Sequence, residues 1–210
     1  LTTPSNLDLY QFAHSSIKQN YNFISEASSH GIHQDRFKNI KIDVAAITNI
    51  SHDHLDYHES FDKYVNIKIS LLTKSLSSNG VAVINSQLKK YKIIEKKLNT
   101  KKITMITYGS KDVFFIKNDN LYLKIFGKKY KLDKFKLENK IQKENLECAI
   151  ACALAMKINP KKIINCLSML KPVPGRFETI NFKKKNSKII IDYAHTPDAL
   201  KNILKNFSYD

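Results

Sequence analysis

The stretch from Asp43 to Lys68 constrains the fold of this chain more than any other. It starts with a continuous apolar run, Val44–Ile47, which is typical of a strand that is buried on both faces of a parallel sheet. Polar residues begin abruptly at Thr48, and a helix that carries Lys68 follows. Strands that alternate with helices form parallel sheets, so the stretch predicts an α/β protein.

The loop between this strand and this helix is dense in groups that bind metals or transfer protons. They are His52, Asp53, His54, Asp56 and His58. In open α/β sheets ligands bind beyond the carboxyl ends of the strands, where this loop is expected. The spacing is not that of a structural zinc site, so a hard cation held by carboxylate, imidazole and substrate phosphates fits better. Simple solvation of these histidines is the alternative.

Ser60 is expected to cap the helix that follows, and the apolar residues of that helix predict burial around most of its circumference. Lys68 is a charged exception on this helix, where an uncompensated ammonium is costly. Glu26 ends another expected strand, Tyr21–Ala27, and is either a surface carboxylate or a neighbour of the histidine loop.

The remaining pattern predicts a mainly parallel sheet flanked by helices, with a small antiparallel β insertion at 113–135. Asn79-Gly80 is expected to form a turn into a strand at 81–85. The expected strands are 21–27, 44–47, 81–85, 102–107, 113–116, 121–126, 129–135 and 188–192, and the expected helices are 6–20, 60–72, 86–99, 145–157, 160–170 and 197–206. Pro172–Gly175 is the best candidate linker, which divides the chain into domains 1–171 and 172–210.

The net charge of +16 invites a nucleic-acid interpretation, but only Arg36 and Arg176 among the 35 basic residues are arginine. Recognition of bases and phosphates favours the guanidinium fork, so we predict no nucleic-acid partner. The three cysteines form no C-x-x-C pair and are expected to be free thiols in the cytoplasm. No membrane partner is expected, because no apolar run is long enough to cross a bilayer. No secretory leader is expected either, because no charged stretch followed by an apolar run stands after Leu1. The pattern G-x-x-x-x-G-K-[ST] is absent, so the sequence contains no nucleotide phosphate loop.

Several long strings carry a family resemblance. They are Thr2-Thr3-Pro4, Glu26-Ala-Ser-Ser-His-Gly-Ile-His-Gln-Asp-Arg36, Thr48-Asn-Ile-Ser-His-Asp-His-Leu-Asp-Tyr-His58, Pro174-Gly-Arg-Phe-Glu178 and Asp192-Tyr-Ala-His-Thr-Pro-Asp-Ala-Leu200. In this order they resemble the ATP-dependent Mur ligases of peptidoglycan precursor synthesis, and above all the members that add the third amino acid of the stem peptide.

The resemblance implies most of a central ATPase domain and the first βα unit of a Rossmann-like C-terminal domain. The family's phosphate loop is expected upstream of Leu1, and its segment that recognises the incoming amino acid is expected beyond Asp210. We therefore expect a fragment that is inactive alone. The resemblance implies that the whole enzyme is a monomer that joins a diamino acid, expected to be meso-diaminopimelate, to UDP-N-acetylmuramoyl-L-Ala-D-Glu.

The resemblance also implies a role for each matched residue. The substrate-binding residues would be Thr2, Thr3, Ser28, Gln34 and Arg36. Glu26, His54 and Lys68 would bind Mg²⁺, with His54 and a carbamylated Lys68 also catalytic. Asn145, Arg176 and Asp192 would bind ATP, the co-substrate. The implied reaction proceeds through an acyl phosphate. The alternatives are a related amide ligase such as folylpolyglutamate synthase, and a non-catalytic basic binding module.

Overall fold

The computed structural model describes residues 3–50, 55–117, 120–132, 139–182 and 187–205, without the side chains of Leu55, Phe182 and Asp198. It contains a six-stranded sheet flanked by helices and a separate two-stranded sheet. The α/β class is therefore confirmed. None of the helices in these ranges is both long and apolar enough to cross a membrane.

Two N-terminal helices come first. Three strands then alternate with helices, as the sequence predicts, and three further strands follow without a helix between them in the described ranges. The strands are β1 Ile42–Ile47, β2 Leu76–Asn85, β3 Thr104–Tyr108, β4 Val113–Lys117, β5 Leu121–Ile125, β6 Lys128–Lys131, β7 Glu178–Phe182 and β8 Ser187–Ile191. The α-helices are α1 Asn6–Lys18, α2 Ser29–His33, α3 Leu55–His58, α4 Phe61–Ser70, α5 Tyr91–Thr100, α6 Lys140–Ala155, α7 Pro160–Leu167 and α8 Pro197–Leu204. A five-residue π-helical turn, Leu71–Ser75, extends α4.

The large sheet has the strand order β1-β2-β3-β4-β5-β6. Strands β1 to β3 are parallel, and β4 joins β3 through a single parallel pair, Tyr108 with Val113. Strands β4 to β6 form antiparallel hairpins, as predicted for the insertion. The carboxyl ends of the parallel strands share one edge, which is where an open α/β sheet binds its ligands.

Local signals fixed the starts of several helices. Ser5 and Asp8 form a capping box at α1, and Ser60 accepts a hydrogen bond from the Lys63 N–H at α4. Asn139 caps α6 in the same way. Each cap satisfies a backbone N–H that would otherwise have no partner within the helix.

The core has two parts, which together involve most of the sheet. The first packs α1, α4 and α5 against β1 and β2, and the second packs α6 and α7 against β3 to β5. Helix α4 buries one face, including Tyr64 and Val65, but Asn66 is exposed. The predicted burial around most of the circumference of this helix is therefore only partly correct.

The predicted strand Tyr21–Ala27 is wrong: this segment belongs to no strand, and Ile24 is 91% exposed. A strand needs a partner for its backbone groups, and no described strand pairs with the segment. Side chains substitute locally, because the Thr3 hydroxyl donates to the Glu26 carbonyl oxygen at 3.0 Å.

Three further predictions need correction. Asn79-Gly80 does not form a turn before β2 but lies inside it, in an irregular stretch opposite Ile42, and a Cβ on Gly80 would lie 3.0 Å from the Ile42 carbonyl oxygen. The helix expected from Ser86 begins at Tyr91, because Ser86 instead donates to the Tyr108 carbonyl oxygen at the end of β3. The helix expected from Asn145 begins five residues earlier, at Lys140, because Asn139 caps it. Strand β7 was not predicted.

A buried carboxylate ties α6 to the sheet. The Glu147 side chain is 0% exposed, and its Oε1 accepts a hydrogen bond from the Phe115 N–H at 2.7 Å. Lys143 Nζ lies 3.9 Å from the same oxygen, while Oε2 has no hydrogen-bond partner in the described part of the chain. Burial raises the pKa of Glu147 to about 7, against the opposing influence of the Phe115 N–H and Lys143.

Candidate functional site

The candidate site lies after the carboxyl end of β1, where the polar loop begins at Thr48. Residues 51–54 are outside the described ranges, so the predicted metal ligand and catalytic residue His54 lies there, with His52 and Asp53. Thr2, a predicted substrate contact, also lies outside the described residues. The site is therefore built from the segments on either side of this loop.

Thr3 is the centre of a hydrogen-bond network between the N-terminal segment and the segment before α2. Its hydroxyl donates to the Glu26 carbonyl oxygen and lies 2.9 Å from Ser28 Oγ, and it accepts from the Ser28 N–H at 2.9 Å. Ser28 also caps α2 by accepting from the Gly31 N–H. A Cβ on Gly31 would lie 2.8 Å from Thr3 Cγ2, so only glycine allows this approach.

Arg36 belongs to the same hydrogen-bond network. Its Nε and Nη2 both donate to Gln34 Oε1, at 3.1 and 2.7 Å, and its Nη1 donates to the Thr3 carbonyl oxygen. The structure therefore brings Thr3, Ser28, Gln34 and Arg36 together. A guanidinium fixed by neutral oxygens keeps its charge available for an anionic ligand group. The substrate-binding roles of these residues stay predictions.

Of the groups predicted to bind Mg²⁺, Glu26 and Lys68 lie among the described residues. The Glu26 side chain is exposed, and its carboxylate has no hydrogen bond or ion pair to the described residues. Such a carboxylate is the kind of oxygen ligand that Mg²⁺ prefers, so Glu26 fits the group. The described residues contain no cluster of three potential metal ligands, and the imidazole predicted to complete this one belongs to His54.

Lys68 lies on α4 and is half-buried, with Nζ 5.2 Å from the centroid of the Tyr64 ring. A cation over an aromatic face is stabilised by the ring quadrupole, which lowers the cost of this position. The predicted carbamylation of Lys68 is not tested by this contact.

Histidine 58 was grouped by sequence with the metal and proton-handling residues, but it points into the protein. It is 3% exposed, and its Nε2 lies 2.9 Å from Ser29 Oγ, which is equally buried. Next to it, the Tyr57 hydroxyl lies 3.0 Å from His33 Nδ1. These contacts join α3 to α2. Ser29 had no predicted role, and its position beside Ser28 in the Ser-Ser-His-Gly string is the only sequence signal for it.

Two of the three residues predicted to bind ATP lie together near the C-terminal end of the described chain. Asp192 accepts from the Phe177 N–H and the Ala194 N–H, both at 2.8 Å, so its carboxylate joins the end of β8 to the segment before β7. The Arg176 guanidinium stacks over the Tyr193 ring, 5.0 Å from its centroid. The ribose and nucleotide roles stay predictions. Asn145, the third, is exposed on α6.

Three known proteins are similar to this chain over most of its length. The chain is 34% identical over 212 residues to the UDP-N-acetylmuramoyl-L-alanyl-D-glutamate--2,6-diaminopimelate ligase of Rickettsia bellii (strain RML369-C), with 97% of this chain and 44% of that protein aligned. A solved structure of a ligase with the same name matches 98% of this chain and 44% of its own, with a TM-score of 0.76 and 30% identity. A solved E. coli FolC in complex with DHPP and ADP has a TM-score of 0.59, 19% identity, and coverage of 80% of this chain and 39% of its own, so that likeness concerns the fold alone.

The chain thus spans less than half the length of the relatives it matches. Residues 1–155 match the family model of the Mur ligase middle domain, which is well over half of the 210 residues. The predicted resemblance is therefore confirmed: this chain belongs to the Mur ligase family.

Proposed function

We propose that this chain is the central part of an ATP-dependent ligase that adds meso-diaminopimelate to UDP-N-acetylmuramoyl-L-Ala-D-Glu. The observation that carries the proposal is the match over almost the whole chain to relatives named as diaminopimelate ligases. Because this chain spans less than half of those relatives, turnover is proposed for the complete gene product.

The hydrogen-bond network around Thr3 supports the part of this proposal that concerns substrate binding. UDP-N-acetylmuramoyl-L-Ala-D-Glu carries phosphates and carboxylates, and Arg36 presents a pre-oriented cation whose other donors are already held by Gln34 and Thr3. Pre-orientation lowers the entropy that is lost when a ligand binds, so this hydrogen-bond network favours an anionic substrate group beside Arg36.

The metal side of the proposal assigns Mg²⁺ to Glu26, His54 and a carbamylated Lys68. When bound, Mg²⁺ would neutralise negative charge on the phosphates. Carbamylation would convert the half-buried Lys68 ammonium into an anion, which is the charge that a cation site requires. His54 would be the imidazole of the site.

In the proposed reaction the substrate carboxylate attacks the γ-phosphate of ATP, forming an acyl phosphate and ADP. The amine of diaminopimelate then attacks the acyl carbon and releases phosphate. The contribution of the protein is mainly alignment and electrostatic stabilisation. We assign Asn145, Arg176 and Asp192 to the nucleotide, with Asp192 on the ribose, and 172–210 to the start of a second domain.

We further propose that the complete enzyme is a cytoplasmic monomer with no nucleic-acid or membrane partner. The scarcity of arginine supports the first exclusion, since the charge of +16 rests almost entirely on lysine. Size-exclusion chromatography with light scattering would report the oligomeric state directly.

The proposal is tested by calorimetric titration of the complete gene product with UDP-N-acetylmuramoyl-L-Ala-D-Glu, followed by measurement of ADP release after addition of ATP and diaminopimelate. We expect Arg36→Lys to weaken substrate binding roughly tenfold or more, because a lysine cannot reproduce the fork held by Gln34. Lys38→Ala is the matched control, since it removes an exposed cation two residues away.

Three outcomes would contradict the proposal. Ligation of glutamate to a folate would support folylpolyglutamate synthase activity instead. RNA binding with a steep salt dependence, and no affinity for the UDP substrate, would support a basic binding module. Equal effects of Arg36→Lys and Lys38→Ala would remove Arg36 from the substrate site.

A further inference from the structure

A buried hydrogen bond connects two segments that the proposed function assigns to different tasks. Helix α2 leads into Gln34 and Arg36 on the substrate side, and α3 follows the loop that contains His54 on the metal side. His58 Nε2 and Ser29 Oγ join the two helices at 2.9 Å, and both residues are 3% exposed. Because water cannot replace a bond at this depth, its geometry constrains both segments.

The His58 ring extends this connection to a third element, α4. Its centroid lies 5.4 Å from that of Tyr64, and the same Tyr64 ring lies under Lys68 Nζ at 5.2 Å. Contacts therefore run without a break from Ser29 through His58 and Tyr64 to Lys68. Packed aromatic rings move little without displacing their neighbours, so a shift of His58 would reach Lys68.

Around this path, α2 and α3 also meet through side chains that are half-buried or exposed. The Tyr57 hydroxyl lies 3.0 Å from His33 Nδ1 and 3.5 Å from Gln34 Nε2, and the His30 ring packs 4.1 Å from the Tyr57 ring. His33 and Gln34 are exposed, so water can compete for their bonds to the Tyr57 hydroxyl. The buried pair is therefore the rigid part of the junction.

We propose that His58 is a positioning residue of the ligase reaction, which holds α2, α3 and α4 in the mutual arrangement that aligns the substrate carboxylate with the metal side of the site. The proposal rests on the proposed function. His58 is 3% exposed and packs against Ser29 and Tyr64, so we assign it a role that acts through these neighbours. Misalignment of reacting groups by about 1 Å can lower a rate by roughly a hundredfold, so such a residue is expected to act on kcat.

The test measures kcat and KM of the complete gene product for five proteins. They are the wild type, His58→Phe, His58→Gln, Ser29→Ala and the double variant Ser29→Ala/His58→Phe. Phenylalanine keeps the ring volume and removes the ring nitrogens. Glutamine places its Nε2 the same number of bonds from Cβ as the Nε2 of histidine, so it can restore the bond to Ser29.

We expect His58→Phe and Ser29→Ala each to lower kcat by about 10- to 100-fold, with KM for ATP changed less than about threefold. Glutamine at 58 should recover kcat to within about fivefold of the wild type. The double variant should be no slower than the slower single variant, because both changes break the same bond. His14→Phe is the control, since it replaces an exposed histidine on α1.

Wild-type kcat in folded His58→Phe, or multiplicative losses in the double variant, would overturn this inference. So would a loss in His58→Phe that glutamine at 58 does not repair. These results leave the proposed function standing as long as the wild type and His14→Phe turn over. A wild type that does not ligate diaminopimelate would overturn the proposed function, and the role of His58 with it.

Discussion

Replacing Glu147 with glutamine is expected to change the stability of the fold in a strongly pH-dependent way. The carboxylate is fully buried on α6, and burial raises its pKa to about 7 from an ordinary value of 4.5. The folded protein therefore holds this proton more tightly than the unfolded chain does. A raised pKa stabilises the fold fully below pH 4.5, and this contribution is lost as the pH rises through 7.

The size of the effect follows from the two pKa values. Each pKa unit corresponds to about 1.36 kcal/mol, so the rise from 4.5 to about 7 amounts to about 3 kcal/mol lost between acidic and alkaline pH. Glutamine cannot ionise, and its Oε1 can still accept from the Phe115 N–H. Its amide would occupy the place of Oε2, which has no partner among the described residues, and this costs about 1–3 kcal/mol at every pH.

The free energy of unfolding of Glu147→Gln minus that of the wild type should therefore rise by about 3 kcal/mol between pH 4 and pH 8.5. Urea denaturation of both proteins across that range measures the difference. Glu144→Gln, at a half-exposed position of the same helix, controls for loss of the same charge near solvent. A difference between Glu147→Gln and wild type that stays constant with pH would refute the reasoning.

Three further changes follow from single contacts. Gly31→Ala should destabilise the fold by about 1–3 kcal/mol in urea denaturation, because its Cβ would lie 2.8 Å from Cγ2 of Thr3, which is 1% exposed and cannot move aside. Tyr108→Phe should cost about 1 kcal/mol in the same assay, because it removes the 3.1 Å hydrogen bond to the Thr48 carbonyl oxygen at the end of β1. Chelation of divalent cations should abolish ligation by the complete gene product and added Mg²⁺ should restore it, while Glu26→Gln should raise the Mg²⁺ concentration needed for half-maximal rate.

A specific result would contradict each of these predictions. Unchanged stability of Gly31→Ala would mean that Thr3 and α2 can separate freely. A Tyr108→Phe protein as stable as the wild type would mean that the hydroxyl is no better placed than if it were solvated. Full activity in the presence of a chelator, or an unaltered Mg²⁺ response in Glu26→Gln, would remove Glu26 from the proposed metal site.

Strand β1 and the starts of α1, α4 and α8 could be predicted from sequence because their signals are local. An apolar run marks β1, while Ser5 and Ser60 satisfy backbone N–H groups within one turn of themselves. Residues 21–27 failed because a strand exists only when a partner supplies hydrogen bonds, and apolar content alone does not provide one. Asn79-Gly80 failed because the same dipeptide suits a turn and a strand irregularity.

By itself, the sequence determined the α/β class, the antiparallel insertion and the family, because periodicity and long motif strings are properties of neighbouring residues. It also named Thr3, Ser28, Gln34 and Arg36 through the family resemblance. Only the tertiary structure decided that these four meet, that His58 turns inward to Ser29, and that Glu147 is enclosed. The physical reason is that burial and hydrogen-bond partners between distant segments arise from packing, and no local pattern records which side of a helix or loop the packed core will take.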